Sequence, residues 1–250
     1  QGAIAAQAAA RAAADGYTLF FTTQTTQAAN PALMKKPGYD PVKDFAPVGR
    51  VAYTPALLVA NPALPVRTLA DLVKLAKAQP GKLSYASGSA GTLVPGAMLT
   101  TAAGIQMLHV PYKSIPLGLN DVMAGHVSAM FTDIVTGTQQ VKAGKVRALG
   151  ISSAKPWPLL PEVPPIAEQY PGFELLAWYA LYVPAGTPAP VIERLSQALE
   201  KTTRDPAVRE RLVGLGLEMS YSTPAELAVF GRDELEKWSR VIQAAGIEKE

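Results

Sequence analysis

The sequence predicts an α/β fold of two lobes, each built on a mainly parallel sheet with helices on its faces. The first observation is alternation, because short apolar runs that suit buried strands take turns with stretches of helical periodicity. The second is composition: 48% of the 250 residues are hydrophobic and 17% are charged, which is enough apolar material for packed cores. The third is length, which exceeds one typical domain of about 100 to 200 residues but is short for two independent ones.

The N-terminal region predicts a helix followed by a strand. Residues 2–14 are nearly all alanine and favour a helix, Asp15 and Gly16 end it, and residues 17–21 form a short apolar run. A chain that enters a parallel-type strand in this way is expected to lack an element ahead of its first helix. Residues 30–47 contain four prolines and predict an ordered surface loop.

The rest of the chain continues the alternation. Further strands are predicted at residues 51–53, 56–59, 83–86, 106–110, 127–131, 146–151 and 173–183. One helix is expected after an N-cap at Thr68 and before Pro80, and others at residues 93–103, 117–124, 136–143, 191–203, 206–215 and 224–245. Ligands of such sheets bind at the carboxyl ends of the strands, so the turns that follow strands are the candidate sites.

Charge and composition argue against several classes of function. The net charge is +3 and the basic residues are dispersed, so we expect no nucleic-acid partner. No apolar run reaches the 18 or so residues that span a bilayer, so we expect no direct membrane insertion. Cysteine is absent, which excludes disulfides and thiol catalysis, and two histidines without cysteine argue against a structural zinc site. We expect no cofactor and a monomer.

A Gly- and Ser-rich turn at residues 87–92 follows a predicted strand and opens a predicted helix. Gly88 and Gly91 let backbone N–H groups turn toward one point, while Ser87, Ser89 and Thr92 add hydroxyl donors, and the helix start adds positive potential. These features favour an anion site. The alternative is an ordinary turn with a Ser or Thr cap, since the spacing matches neither the dinucleotide nor the P-loop pattern.

A second polar turn, at residues 22–27, also follows a predicted strand. Its six uncharged polar residues include Thr23, Gln24 and Thr25, which can donate hydrogen bonds without adding charge. The alternative is a solvated loop. Two such turns in one chain favour a shared site.

Asp133 lies just after the strand predicted at residues 127–131, at the end where ligands bind. It is a candidate acceptor for a ligand hydroxyl or amine, and equally a helix-capping Asp. Trp178 and Tyr179 lie in an apolar strand, where core packing is the first expectation and a wall of the ligand cleft the second.

An enzyme would need a nucleophile with a base, and Ser89 with Asp133 and either His109 or His126 is the one combination the sequence offers. This serine hydrolase or transferase is the alternative function. It is not favoured, because Ser87 stands where the Gly-x-Ser-x-Gly nucleophile turn requires its first glycine.

Several motifs resemble the Bug-type receptors of tripartite tricarboxylate transporters, in order and spacing over essentially the whole chain. The matching segments are residues 15–19, 30–31, 39–48, 85–92, 109–113, 143–149, 178–179 and 184–188. The resemblance implies a type II-like periplasmic binding-protein fold with two lobes that close over a ligand and are joined by two crossing strands. Residues 1–53 with 183–250 would form the first lobe, and residues 54–182 the second.

The resemblance also implies a function. Such receptors are periplasmic, are not enzymes, capture a small organic carboxylate between their lobes and deliver it to membrane transporter subunits. Carried over by position, the ligand loops would be residues 22–27, residues 87–92, and the turn with Thr132 and Asp133.

Two departures from the family pattern stand out. The family usually begins with a strand, a Pro-Pro-Gly-Gly type loop, another strand and a Gly-rich turn, and all of these would precede Gln1, so part of the first lobe and of its site is expected to be missing. In addition, the usual Lys-Gly after Pro-Tyr is Lys113-Ser114 here.

Overall fold

The computed structural model describes residues 2–249, which divide into two compact units. The first consists of the residues up to 54 together with those from 177 onward, and the second of residues 55–176. The chain leaves the first unit within strand β2 (Phe45–Ala60) and returns within strand β7 (Leu176–Pro184). From Ala177 onward β7 belongs to the first unit, where it pairs with β1 (Phe20–Thr23).

The second unit alternates strands and helices as the sequence predicts. After β2 come α3 (Leu69–Ala78), β3 (Ser84–Ser87), α4 (Ala90–Ala103), β4 (Leu108–Pro111), α5 (Ile115–Ala124), β5 (Ala129–Asp133), α6 (Ile134–Lys142) and β6 (Arg147–Ile151), and a 3₁₀ turn follows at Ile166–Glu168. Strand β3 is parallel to both β4 and β5, while β2 is antiparallel to β5 and β6. The prediction of a mainly parallel sheet therefore holds here, with β2 as the exception.

One hydrophobic core fills the second unit on the side of α3 and α4. Leu72 and Leu99 from those helices meet Leu58 and Phe131 from the sheet, and all four are at most 3% exposed. Phe173 also packs in this core, and the centroid of its ring lies 6.3 Å from that of Phe131. Burying side chains of this size is the main stabilising contribution to such a unit.

The first unit carries the two ends of the described chain. Its elements are α1 (Ala3–Ala10), β1 (Phe20–Thr23), a π-helical turn at Thr25–Ala29, α2 (Asn30–Leu33), the first part of β2, β7, α7 (Ala189–Arg204), α8 (Pro206–Gly214), β8 (Glu218–Met219) and α9 (Pro224–Ala244). Strand β1 pairs with β7 and β8 pairs with β2, both antiparallel. These two pairs therefore differ from the parallel pairing expected for this lobe. The partner of β1 is β7, by which the chain returns from the second unit, and β7 runs in the opposite direction to β1.

Helix α9 packs on the π-helical turn and on α2, and it contacts β7 through Trp178; both Trp178 and Trp238 are buried. Glu234 of α9 is 7% exposed and accepts hydrogen bonds from the indole N–H groups of Trp178 and Trp238. For Trp178, core packing is therefore what the structure shows. The neighbouring Tyr179 lies on the other face of β7, where its ring stacks on Phe21 at 6.0 Å.

Local differences from the sequence prediction concentrate near the N-terminus. Helix α1 ends at Ala10, and β1 begins at Phe20, where pairing with β7 starts. Tyr17 lies outside this strand and is 92% exposed. The loop predicted at residues 30–47 contains α2 and is ordered by Tyr39, whose hydroxyl donates to the Thr26 carbonyl at 2.7 Å. Within residues 2–249, no helix has both the length and the apolar character needed to cross a bilayer.

Candidate functional site

Three strand-to-helix junctions of the second unit end on the same edge of its sheet. Strands β4, β3 and β5 lie side by side and parallel, and after at most three residues each is followed by a helix, α5, α4 and α6 respectively. The carboxyl ends of parallel strands meet at one edge, so the N-termini of these three helices lie along it. Each helix N-terminus carries unpaired N–H groups and about half a positive charge. This edge is the candidate functional site.

The turn at residues 87–92 is organised by the hydroxyl of Thr92. Its Oγ1 accepts from the backbone N–H of Gly88 at 2.9 Å and of Ser89 at 3.2 Å, and donates to the Ser89 carbonyl at 3.0 Å. The structure therefore uses two of the predicted anion donors internally. The amides of Ala90 and Gly91, the first two of α4, are the ones that helix geometry leaves for an external acceptor.

Gly88 brings the starts of α4 and α5 together. A Cβ atom at this position would lie 2.2 Å from the carbonyl carbon of Ser114 and 2.3 Å from the nitrogen of Ile115. Those atoms are backbone and cannot move aside as a flexible side chain can. A glycine is therefore required at position 88, because two backbone segments pack closely there. The surrounding sequence does not reveal this requirement.

The hydroxyl of Ser87 is bonded to a histidine. Ser87 ends β3, is 5% exposed, and its Oγ lies 2.8 Å from Nε2 of His109 on β4. Tyr85 packs against the same imidazole with ring centroids 5.0 Å apart, and burial raises the pKa of Tyr85. Ser87 can donate to a ligand only when Nε2 of His109 carries the proton, because otherwise its hydrogen points at that nitrogen.

Asp133 and Thr132 end β5 and have different surroundings. Asp133 is the N-cap of α6, and its Oδ1 accepts from the N–H of Thr136 at 2.8 Å. The capping role is therefore shown, and contact with a ligand stays a prediction. Thr132 is 0% exposed beneath Gly137, and its hydroxyl has no hydrogen-bond partner among residues 2–249. Its burial argues against the ligand contact predicted for this side chain.

The predicted polar turn of the first unit is the end of β1 followed by a π-helical turn. Gln24 is 4% exposed and its Oε1 accepts from the backbone N–H of Trp178 at 3.2 Å, so the carbonyl half of that amide is engaged. Thr23 and Thr25 are half-buried, and Thr23 Oγ1 accepts from the Thr25 N–H at 3.3 Å. Single π-helical turns occur frequently at functional sites. That this segment and residues 87–92 share one ligand stays a prediction.

The combination of Ser89, a histidine and Asp133 that an enzyme would use is not assembled by the hydrogen bonds just described. Nε2 of His109 bonds Ser87, and Asp133 caps α6. His126 is exposed and its Nδ1 lies 3.5 Å from the Asp121 carboxylate. That carboxylate also accepts from the Tyr112 hydroxyl at 2.5 Å, which raises the pKa of Tyr112 to about 12.

The described residues do not offer a set of side chains that would bind a metal ion. Between residues 2 and 249, no three His, Cys, Asp or Glu side chains form a group that could hold a metal ion. The candidate site instead offers backbone amides, hydroxyls and helix starts, which are donors suited to an anion.

The whole chain matches a known family. Residues 1–247 match the family described as tripartite tricarboxylate transporter family receptor. The chain belongs to this receptor family. The resemblance to Bug-type receptors is confirmed by two sequence relatives among others. A protein encoded between tcbD and tcbE in Pseudomonas sp. strain P51 is 36% identical over 96% of this chain and 73% of its own length, and BugT of Bordetella pertussis is 32% identical over 98% and 76%.

Solved structures of similar proteins have the same fold. Rpa4515 of R. palustris with adipate superposes with a TM-score of 0.94 at 31% identity, covering 100% of this chain and 84% of that one. The periplasmic binding protein BugD gives 0.90 at 32% identity, with 100% and 85% covered. MatC of Rhodopseudomonas palustris with bound malate gives 0.85 at 30% identity, with 96% and 84% covered. The predicted α/β class and periplasmic-binding-protein fold are thereby confirmed.

Proposed function

We propose that this chain is a periplasmic receptor that binds a small organic carboxylate and delivers it to a tripartite-type membrane transporter. The observation that carries the proposal is the edge of the second unit where α4, α5 and α6 begin side by side. An anion at this edge would be stabilised by several unpaired N–H groups and by the aligned helix dipoles, so that no buried cation is needed.

The preorganisation of the turn at residues 87–92 supports the proposal. Thr92 fixes the backbone of Gly88 and Ser89, so the amides of Ala90 and Gly91 are held in place before a ligand arrives. Donors that need no rearrangement on binding lose little entropy, which raises affinity.

The known relatives support a carboxylate ligand. Rpa4515 was solved with adipate and MatC with malate, and both are dicarboxylates. The periplasmic location and the transporter partner rest on the family and on BugD.

We assign ligand contacts to most of the residues that the sequence singled out. In the second unit these are the hydroxyls of Ser87 and Ser89, the Gly91 amide and the second oxygen of Asp133, while Gly88 and Thr92 hold the shape of the turn. In the first unit they are Thr23, Thr25 and the amide nitrogen of Gln24. Asp133 would accept from a ligand hydroxyl such as that of malate, while the other groups would donate to carboxylate oxygens.

We propose that the protein binds its ligand without transforming it, because its family is one of receptors. The competing function is a serine hydrolase that uses Ser89. Incubation of the protein with activated esters distinguishes the two functions. If the protein hydrolyses an ester, and this activity is lost in Ser89→Ala but kept in Ser222→Ala, catalysis is established and the receptor proposal is wrong.

The direct test is calorimetric and thermal titration against mono-, di- and tricarboxylates, with adipate and malate included. A ligand present at 100 times its Kd should raise the unfolding free energy by about 2.7 kcal/mol. Thr92→Val should weaken binding, because it removes the acceptor that holds two backbone amides. The matched control is Thr202→Val, whose hydroxyl donates only to the Ala198 carbonyl on α7. Absence of any carboxylate response in the unaltered protein would contradict the proposal.

The cellular part of the proposal has its own test. The native gene product should be released with the periplasmic fraction, and deletion of the gene should abolish uptake of the acid found by titration. Uptake that is unchanged in the deletion strain would contradict a role in transport.

A further inference from the structure

A small cavity in the first unit is lined by none of the residues assigned to the carboxylate, although Gln27 belongs to the same turn as Thr23, Gln24 and Thr25. It has a volume of about 100 Å³ and is bounded by the π-helical turn, the segment leading into β2, β7 and α9. We call it the Gln27 pocket, after the polar side chain in its wall. Most of the remaining wall is apolar and includes Phe45, Pro47 and Leu227.

The amide of Gln27 has no adequate partner in this wall. Gln27 is 3% exposed, and within residues 2–249 neither its Oε1 nor its Nε2 makes a hydrogen bond. The Tyr182 hydroxyl also lines the pocket and is close enough to Gln27 for the amide to influence its pKa, which burial raises, but the two do not meet in hydrogen-bonding geometry. A buried amide left with an unused donor and an unused acceptor is costly, so a molecule that pairs with both would be stabilised in this pocket.

Gly231 keeps this space open from the side of α9. It lies inside a helix of 21 residues, where glycine is less favourable than alanine. A Cβ atom at this position would lie 3.3 Å from the Tyr182 hydroxyl. A larger side chain at this position would therefore fill space beside the Tyr182 hydroxyl.

The chemistry of the wall defines the occupant. We propose that the Gln27 pocket binds a small uncharged molecule with an amide or hydroxyl head that both donates to and accepts from the Gln27 amide, while its short apolar body lies against Phe45 and Leu227. A carboxylate accepts but does not donate, so it would leave the Gln27 Oε1 atom unpaired; the one cation in the described wall, Arg232, is exposed to solvent. A hydrocarbon would leave the amide unpaired. The volume leaves room for about three water molecules, so only a short chain fits.

Butyramide and butyrate are suitable probes, because they share one shape and differ in head group. The side-chain amide signals of Gln27, assigned by their loss in Gln27→Leu, should shift saturably with butyramide. Butyrate should bind at least about tenfold more weakly, which corresponds to 1.4 kcal/mol. Gly231→Val, which fills the space, should lose the butyramide response, and Gln27→Leu should lose it as well.

The outcomes separate this proposal from the carboxylate receptor. If Gln27 shows magnetisation transfer from water alone and no response to butyramide, the pocket holds only water and the proposal is wrong. An equal response in Gly231→Val would place the probe elsewhere and also overturn it. Adipate and malate binding, measured in the same Gly231→Val protein, should be unchanged, so failure at either site leaves the other testable.

Discussion

The Oε2 atom of Glu234 lies 2.9 Å from the indole nitrogen of Trp178, and the same oxygen lies 3.1 Å from that of Trp238. One buried carboxylate thus satisfies two buried indole donors, which are otherwise costly to desolvate. Glu234→Leu should lower the unfolding free energy by about 2 to 4 kcal/mol, because it leaves both N–H groups unpaired. Urea unfolding followed by tryptophan fluorescence measures the loss.

Two controls separate the buried acceptor from simple loss of charge on α9. Glu236→Leu removes an exposed carboxylate from the same helix, and Lys237→Met removes the partner 3.3 Å from Glu234 Oε1. Glu236→Leu should change stability by less than about 1 kcal/mol. Lys237→Met should cost more than Glu236→Leu, because it removes the cation of a buried carboxylate, but less than Glu234→Leu, because both indole bonds remain. If all three variants lose equal stability, the indole bonds are not the cause.

Glu234 also shows where the sequence stops being informative. The amphipathic pattern of residues 224–245 predicts the helix, and the position of its apolar face follows from that periodicity. A glutamate on such a helix is ordinarily solvated, so nothing local indicates that this one turns inward. The signal lies in two tryptophans, one on α9 itself and the other 56 residues away on β7, and only the tertiary structure brings them to the same oxygen.

Gly88→Ala should disrupt the candidate site more than its small size suggests. Its Cβ would meet the backbone of Ser114 at 2.2 Å, so the start of α5 must move. We expect a loss of stability of about 1 to 3 kcal/mol, as for overpacking generally, and carboxylate binding weakened by more than about tenfold. Thermal unfolding and calorimetric titration of the same sample measure both.

Gly214→Ala is the matched control for this substitution. Gly214 ends α8, and a Cβ there would have no atom within 4 Å. Its stability should rise or stay the same, with unchanged binding. Normal ligand affinity in Gly88→Ala would show that the junction of α4 and α5 does not form the site.

The site can be predicted in part because strand, glycine-rich turn and helix follow one another in sequence. The alternation from β3 to α6 is enough to place Ser87, Gly88 and Asp133 at or just after strand ends. The π-helical turn cannot be predicted in this way, because its hydrogen bonds compete with ordinary helical ones and the helix it packs against, α9, lies about 200 residues away in the sequence. Likewise, the sequence does not show that the Gly88 and Ser89 amides donate to the Thr92 hydroxyl, because this depends on the orientation of the Thr92 side chain.

Thr132→Val tests the one predicted site residue that the structure buries completely. The hydroxyl is 0% exposed and unpaired within the described part of the chain, so its removal should raise the unfolding free energy by about 1 kcal/mol. Carboxylate affinity should not change. Thr138→Val is the contrasting variant, because the Thr138 hydroxyl donates to the Ile134 carbonyl at 2.5 Å and its loss should not stabilise the protein. Weaker ligand binding in Thr132→Val would restore this hydroxyl to the site.

The bond from Tyr112 to Asp121 predicts an alkaline pH dependence next to α5. The negative Asp121 carboxylate accepts from the phenol and opposes its ionisation, which raises the pKa of Tyr112 from 10.0 to about 12. The folded state therefore holds this proton more tightly than the unfolded state. The resulting contribution to stability is complete below pH 10, the unfolded value, and is lost as the pH rises through about 12.

Asp121→Asn should return the pKa of Tyr112 toward its ordinary value, since the hydrogen bond and the negative charge that hold the proton are both weakened. Ultraviolet absorbance titration of the phenolate measures the change, and Tyr112→Phe identifies which transition belongs to this residue. His126→Gln is the control, because it removes the other neighbour of Asp121 while leaving the bond to Tyr112. A Tyr112 transition at the same pH with and without the Asp121 carboxylate would rule out the assigned cause.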